Sequence, residues 1–231
     1  MLTLKHLHKS FYFRPIIDDL SLTVNRGDVI GLMGKNGVGK STLLRMIASL
    51  TSLDRGSVYY NGQELSSGRY DLRKHILYIG HSPGMYSALR AQENLSFAMR
   101  LYGKKADQDL ILDTLKELDL AGQLSDPIQV YSQGMLQRLK LVYAKLIPWS
   151  VLLFDEPLTG LDSVGIKLVE SILENWKAEG RTIILVAHDI DWVIKICNRL
   201  LILKDGSCKE DYNLQDTNNE KIIHGYNDLI A

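Results

Sequence analysis

The chain has 231 residues, enough for one large α/β domain with a substantial core or for two small domains. Its 27 Lys and Arg balance its 27 Asp and Glu, so charge gives no reason to expect a nucleic acid or an anionic membrane as partner. We see no secretory leader, and no apolar run approaches the roughly 20 residues of a membrane helix. We therefore expect a soluble protein with reduced cysteines, whose membrane role, if it has one, requires a partner.

The first third of the chain is predicted to contain short strands around one helix. A Gly-rich loop follows the apolar strand Val29–Met33 and leads into a predicted helix over residues 42–50. Asn61-Gly62 is a strong hairpin signal after the strand at 57–60. The predicted strands of this part are 2–7, 20–24, Val29–Met33, 57–60 and Ile76–Ile79.

From about residue 88 to 146 helical periodicity replaces the strand pattern, which predicts a helical insert. Its predicted helices are 93–102, 108–118 and 134–146. Short apolar strands then alternate with helices, which predicts a mainly parallel sheet with helices on its faces. These elements are the strands Val151–Asp155, Thr182–Val186 and 200–203 and the helices 164–179 and Ile190–Ile196.

The end of the chain is predicted to begin with a hairpin turn at residues 204–207. The segment 215–219 is polar and poorly periodic, so we expect it to be loosely ordered. We treat residues 1–231 as a single domain with a C-terminal tail from about 207 to 231.

The Gly-rich loop fits the P-loop pattern G-x-x-x-x-G-K-[ST] at Gly34, Gly39, Lys40 and Ser41. Glycines let successive backbone N–H groups point at phosphates, and the following helix adds its positive end. Lys40 would reach the β- and γ-phosphates, and Ser41 would ligate Mg²⁺. The alternative is a Gly-rich turn with a solvent-facing lysine. The predicted nucleotide-binding residues of the loop are Gly34, Lys35, Asn36, Gly37, Val38, Gly39, Lys40, Ser41 and Thr42.

A second carboxylate site follows the strand Val151–Asp155, which ends in Asp155 and continues to Glu156. Asp155 is predicted to hold the hydration shell of Mg²⁺, together with Ser41. Glu156 is predicted to orient and polarise the attacking water. Taken alone, Asp-Glu after a strand indicates a solvated turn, but its pairing with an intact P-loop favours the catalytic interpretation.

Together with a signature loop, these residues resemble the ABC ATPase family over nearly the whole chain. Tyr131-Ser132-Gln133-Gly134-Met135 is similar to the family's Leu-Ser-Gly-Gly-Gln and matches it at Ser132 and Gly134. Read alone, Ser132 is a helix N-cap, and both interpretations can hold because an N-cap is also an anion site. The resemblance implies that Ser132, Gln133, Gly134 and Met135 act on the nucleotide of another subunit.

Four more residues receive roles from the resemblance. His188, after the strand Thr182–Val186, resembles the switch histidine that contacts the γ-phosphate, and Asp162 lies in the D-loop that links two sites. Phe11 would stack on adenine, although an aromatic there could equally be core, and Tyr12 or Phe13 could replace it. His81 stands where most members have the Q-loop glutamine, and because histidine as a residue type changes charge near neutral pH, coupling would depend on pH.

The fold that the resemblance implies is a P-loop NTPase α/β core with an N-terminal antiparallel β-subdomain and an inserted α-helical subdomain. Its partners would be a second copy of the chain, bound head to tail around ATP and Mg²⁺, and a polytopic membrane permease. The protein would then lie on the cytoplasmic side of the cell membrane, with no nucleic acid involved. Residues 78–81 and 134–138 and the single-cassette length also resemble the ATPase subunit of the haem exporter used in cytochrome c maturation.

Other function classes remain open within and outside this family. Gly-Met and Gln-Arg runs also occur in drug and polysaccharide exporters, and a soluble ABC ATPase without a membrane partner is a further alternative. A P-loop kinase is disfavoured by the Ser132 loop and His188. A GTPase is disfavoured because the chain lacks an Asn-Lys-x-Asp run that reads the base.

Overall fold

The computed structural model describes residues 1–65, 68–82 and 84–230. Pro83, in the predicted Q-loop, and Ala231, at the end of the predicted tail, lie outside the described residues. The strands are β1 (Leu2–Phe11), β2 (Arg14–Val24), β3 (Val29–Met33), β4 (Arg55–Tyr60), β5 (Gln63–Glu64), β6 (Ile76–Ile79), β7 (Val151–Asp155), β8 (Thr182–Val186), β9 (Arg199–Lys204) and β10 (Ser207–Asn213). The α-helices are α1 (Lys40–Ile47), α2 (Tyr70–Arg73), α3 (Ala91–Leu101), α4 (Gln108–Glu117), α5 (Gln133–Leu146), α6 (Ser163–Ala178), α7 (Ile190–Ile196) and α8 (Asn219–Ile230).

The described strands form two sheets. One is antiparallel, with the order β2-β1-β4-β5, and the other has the order β10-β9-β3-β8-β7-β6. In the second sheet every pairing is parallel except that of β9 with β10. This confirms the predicted fold class, an α/β core with a mainly parallel sheet and an antiparallel β-subdomain.

The central strands β3, β7 and β8 are buried at every residue, as expected of parallel strands covered on both faces. Parallel strands place their carboxyl ends along one edge of the sheet, and this edge is where ligands bind in open α/β sheets. The segments that follow β3, β6, β7 and β8 are the P-loop, the His81 loop, Glu156 and the His188 loop. The topology therefore brings four predicted site segments to one edge.

Helices α3, α4 and α5 pack against one another between β6 and β7 in the sequence. Apolar residues at helical spacing supply their shared core, including Leu95, Ile111, Leu115 and Leu139, which are at most 1% exposed. The helical periodicity of the sequence therefore predicted the type and approximate bounds of these three elements. None of the helices in the described part of the chain has the length and apolar character that a membrane crossing requires.

The C-terminal helix α8 was not predicted from the sequence. Segment 215–219, expected to be loosely ordered, contains a hydrogen-bonded turn in which Gln215 N donates to Asn213 Oδ1 at 3.1 Å. The Asn218 side chain then accepts from Glu220 N at 2.8 Å, where α8 begins. Ile222 is completely buried against the core, and Tyr226 and Leu229, at helical spacing from it, also pack there, so tertiary packing stabilises this helix.

Candidate functional site

A cleft of about 530 Å³ opens at the carboxyl edge of the parallel sheet. Besides Ile16, it is lined by residues that the sequence predicted for nucleotide binding or catalysis. Gly34, Lys35 and Val38, also predicted, belong to the same loop but do not line the cleft. The predicted residues that line it are Phe11, Asn36, Gly37, Gly39, Lys40, Ser41, Thr42, Glu156 and His188.

The P-loop folds around the ammonium group of Lys40. The Lys40 Nζ donates to the carbonyl of Gly34 at 2.7 Å and to that of Lys35 at 3.0 Å. Gly34 and Gly39 have φ values of 142° and 111°, which side-chain-bearing residues rarely adopt. Burial lowers the pKa of Lys40, while the negative charges of Glu156 and Asp155 oppose that shift. The loop thus holds a positive charge at the N-terminus of α1, which is favourable for anions.

The two predicted Mg²⁺ ligands lie beside each other. Ser41 Oγ donates to Asp155 Oδ1 at 3.0 Å, and Asp155 is only 4% exposed. The described residues contain no group of three or more His, Cys, Asp or Glu side chains able to hold a metal. A hydroxyl and a carboxylate fit Mg²⁺, which prefers oxygen ligands and is usually bound through one or two carboxylates plus substrate phosphates and waters.

Tyr78 and Arg45 support Asp155 and were not predicted as site residues. The hydroxyl of Tyr78 donates to Asp155 Oδ2 at 3.4 Å and accepts from Arg45 Nε at 3.2 Å. Burial raises the pKa of Tyr78, so its hydroxyl remains a donor. The sequence offered no signal for this contact, because it depends on the register of β6 beside β7.

Glu156 begins the loop after β7 in a left-handed conformation, with φ of 56°. Its carboxylate accepts from Thr159 Oγ1 at 3.0 Å and lies 3.2 Å from His188 Nε2. Burial favours the neutral acid, but the hydrogen bonds from His188 and Thr159 and the charges of His188 and His81 outweigh it and hold the pKa of Glu156 below its usual range. The arrangement provides an ionised carboxylate facing the cleft, with a histidine beside it.

Phe11 and His81 differ in how closely they approach this cleft. Phe11 lines it and is 43% exposed, whereas Tyr12 and Phe13 at the tip of the same hairpin are almost fully exposed. His81 does not line the main cleft. It borders a separate cavity of about 60 Å³ that Glu156 and Thr159 also line.

The predicted signature residues do not line the P-loop cleft of their own chain. Ser132 Oγ accepts from Met135 N at 3.2 Å and so caps the N-terminus of α5. A Cβ atom on Gly134 would lie 3.0 Å from the carbonyl of Gly160. Asp162 likewise caps α6, accepting from Gly165 N at 2.8 Å. Within one chain, the signature loop therefore contacts the predicted D-loop segment and leaves the cleft open.

Two buried polar residues of α5, Gln137 and Lys140, hydrogen-bond to backbone carbonyls of the site loops. The sequence analysis did not predict either of them as a site residue. Gln137 Nε2 donates to the carbonyls of Glu156 and Pro157, and Lys140 Nζ donates to that of His81. The sequence did contain a signal for them: two polar residues three apart lie on one face of a helix whose other inward-facing residues are apolar.

Comparisons with known proteins agree with this geometry. A family model described as ABC transporter matches residues 17–159. The lantibiotic transport ATP-binding protein SrtF of Streptococcus pyogenes is 31% identical over 229 residues, which cover 96% of this chain and 98% of that protein. The cytochrome c biogenesis ATP-binding export protein CcmA of Nitrosomonas europaea is 35% identical over 188 residues, covering 81% and 88%.

A solved structure described as the ATP binding subunit of an ABC transporter aligns with a TM-score of 0.86 and 30% identity, covering 98% of this chain and 94% of that one. The similarity thus extends beyond the matched family segment to the strands and helices at both ends. The chain belongs to the ABC transporter family, as an ATP-binding subunit with ATPase activity.

Proposed function

We propose that the cleft binds ATP with Mg²⁺ and that Glu156 activates the water that attacks the γ-phosphate. The observation that carries this proposal is the convergence of Lys40, Ser41, Asp155 and Glu156 at one edge of the sheet. When ATP binds, Lys40 Nζ exchanges its hydrogen bonds to the loop carbonyls for bonds to the β- and γ-phosphates. The backbone N–H groups of the P-loop bind the same phosphates. Phe11 contacts adenine from the rim of the cleft.

Ser41 and Asp155 would hold Mg²⁺, which would neutralise charge on the phosphates. Tyr78, which accepts a hydrogen bond from Arg45, donates to one oxygen of Asp155, so that the other oxygen faces Ser41. Glu156, ionised because its pKa is lowered, accepts a proton from the attacking water. His188, 3.2 Å from Glu156, orients that carboxylate and is positioned to approach the γ-phosphate.

We further propose that the site is completed by a second copy of the chain. Ser132 and Gly134 lie at the N-terminus of α5, where a helix binds anions well, yet they do not line the cleft of their own chain. A head-to-tail dimer would bring the signature loop of each copy over the nucleotide of the other. ATP binding would close this dimer, and hydrolysis would release it.

Within the family, we propose that the chain drives a separate membrane permease from the cytoplasmic side of the membrane, as an exporter of the haem type. The 35% identity to the cytochrome c biogenesis protein supports the haem type. The lantibiotic transport protein is a competing relative, because the match to it spans 96% of this chain. A lantibiotic-transport type is therefore the second candidate.

The partner can be identified by cross-linking in the native membrane. A photo-crosslinker at Tyr86, which is 58% exposed, should capture a polytopic subunit, and mass spectrometry should identify it. Capture of a haem-exporter permease supports the first candidate, and capture of a lantibiotic-transport permease supports the second. A crosslinker at Tyr12, which is also exposed, is the control: capture from Tyr86 but not from Tyr12 shows that the contact is specific to the surface around Tyr86. Fractionation of the chain away from membranes, with no permease captured, would contradict both.

A further inference from the structure

Helix α5 carries two buried polar side chains one turn apart. Gln137 is 3% exposed and Lys140 is 5% exposed, and residues three apart lie on one face of a helix. Lys140 Nζ donates to the carbonyl of His81 at 2.7 Å and to Gln137 Oε1 at 3.1 Å. Gln137 Nε2 in turn donates to the carbonyls of Pro157 at 2.7 Å and Glu156 at 3.2 Å.

These bonds form a continuous path across the interior. It runs from the His81 backbone, through Lys140 and Gln137, to the backbone of Glu156. The two ends belong to loops that follow neighbouring parallel strands, β6 and β7. The path passes through α5, whose first turn is capped by Ser132. One helix therefore holds the loop after each strand and also presents the signature loop.

A buried ammonium group is costly unless hydrogen bonds and opposite charges compensate it. Burial lowers the pKa of Lys140, while the nearby charges of Asp155 and Glu156 oppose that shift. Apolar side chains fill most other inner positions of α5, including Leu139 and Val142. A lysine at this position is thus explained by its specific bonds rather than by packing.

We propose that Lys140 is a positioning residue of the ATPase. It anchors the backbone of the His81 loop to α5 and, through Gln137, fixes the position of that loop relative to the backbone of Glu156. This inference rests on the proposed roles of Glu156 and His81. Lys140 itself does not line the nucleotide cleft. It borders the cavity of about 60 Å³ that His81 and Glu156 also line. When α5 moves with the signature loop, both loops move with it.

The test compares Lys140→Met, which keeps the length of the side chain and removes its donors, with Lys145→Met on the same helix. Lys145 pairs with Glu117 on α4 at the surface, away from the site. Hydrogen–deuterium exchange of nucleotide-free protein measures directly how firmly the His81 loop is held. Residues 79–82 should exchange about tenfold faster or more in Lys140→Met, the range expected when a hydrogen bond to a charged group is lost. They should be unchanged in Lys145→Met.

Steady-state kinetics test the consequence for catalysis. In Lys140→Met, kcat should fall about tenfold, whereas KM for ATP should stay within about twofold because the phosphate contacts of the P-loop remain. Lys140→Arg keeps a charged donor and should recover part of kcat and of the exchange protection. Thermal unfolding of every variant separates these effects from loss of the fold.

Equal exchange at residues 79–82 in the two methionine variants would overturn the proposal, as would parallel losses of kcat and ATP affinity. If Lys140→Met does not fold, Lys140→Gln takes its place: faster exchange of residues 79–82 than in Lys145→Met supports the proposal, and equal exchange overturns it. The exchange measurement needs no nucleotide. Failure of the proposed function, seen as unimpaired turnover in Glu156→Gln, is therefore distinguishable from failure of this inference.

Discussion

Replacement of Glu156 by Gln tests the proposed catalytic base with little change of shape. The carboxylate uses its two oxygens toward Thr159 and His188, at 3.0 and 3.2 Å. Glutamine retains one acceptor oxygen but carries no charge, so it cannot take the proton of the attacking water. General-base catalysis contributes about 10²–10⁴ in rate, and we therefore expect kcat to fall by at least about 100-fold, or about 2.7 kcal/mol of barrier.

ATP binding should survive this substitution, because the P-loop supplies the phosphate contacts. The Glu156 side chain is 36% exposed, so loss of its contacts should cost less than about 1 kcal/mol of stability after screening by solvent. Phosphate release under saturating Mg-ATP measures kcat, and calorimetry measures affinity. Glu170→Gln on α6, where Glu170 pairs with Lys195 at 2.7 Å, is the matched control and should retain activity. Turnover within tenfold of wild type in Glu156→Gln would refute the assignment.

Three further substitutions test other parts of the account. Lys40→Ala should weaken ATP binding about 10-fold or more, because it removes charge-assisted bonds to phosphate; unchanged affinity by calorimetry would refute the P-loop assignment. Gly34→Ala would place Cβ 2.3 Å from the Leu203 carbonyl at a φ of 142°, and should lose about 1–3 kcal/mol or more in urea unfolding. Gly37→Ala shares a positive φ, 78°, but has no atom within 4 Å, so it should lose less. Equal unfolding midpoints for the two glycine variants would contradict that geometry. Ile222→Ala should cost about 2–5 kcal/mol, and a negligible change would show that α8 does not pack on the core in solution.

The sequence predicted most of the fold because its periodicities are unambiguous. Strands β3, β7 and β8 are short and apolar except for Asp155 and Thr182, and their predicted bounds agree with the structure. Apolar residues at helical spacing also located α3, α4 and α5. In contrast, α8 was missed although Ile222, Tyr226 and Leu229 stand at helical spacing and pack on the core, because it follows the polar, poorly periodic segment 215–219.

The candidate site shows the same division. Contiguous motifs predicted the P-loop and the Asp155-Glu156 pair, because their residues are adjacent in sequence. The contact of Tyr78 with Asp155 depends on strand order, and that of Lys140 with His81 depends on how α5 packs. Such contacts follow from the assembled fold, so only the three-dimensional structure reveals them. The dependence of coupling on pH through His81 stays a prediction, as do the bounds of the helical insert.

The central claim is that ATP lies between the P-loop of one copy and the signature loop of another. Mixing two inactive variants, Lys40→Ala and Gly134→Asp, tests it most directly. In a head-to-tail dimer one site of the mixed pair would combine both lesions, and the other would combine an intact P-loop with an intact signature loop. We predict that neither variant alone hydrolyses ATP, and that the mixture recovers hydrolysis at the one intact site of each mixed dimer. A mixture that hydrolyses no more ATP than its separate components would contradict the account.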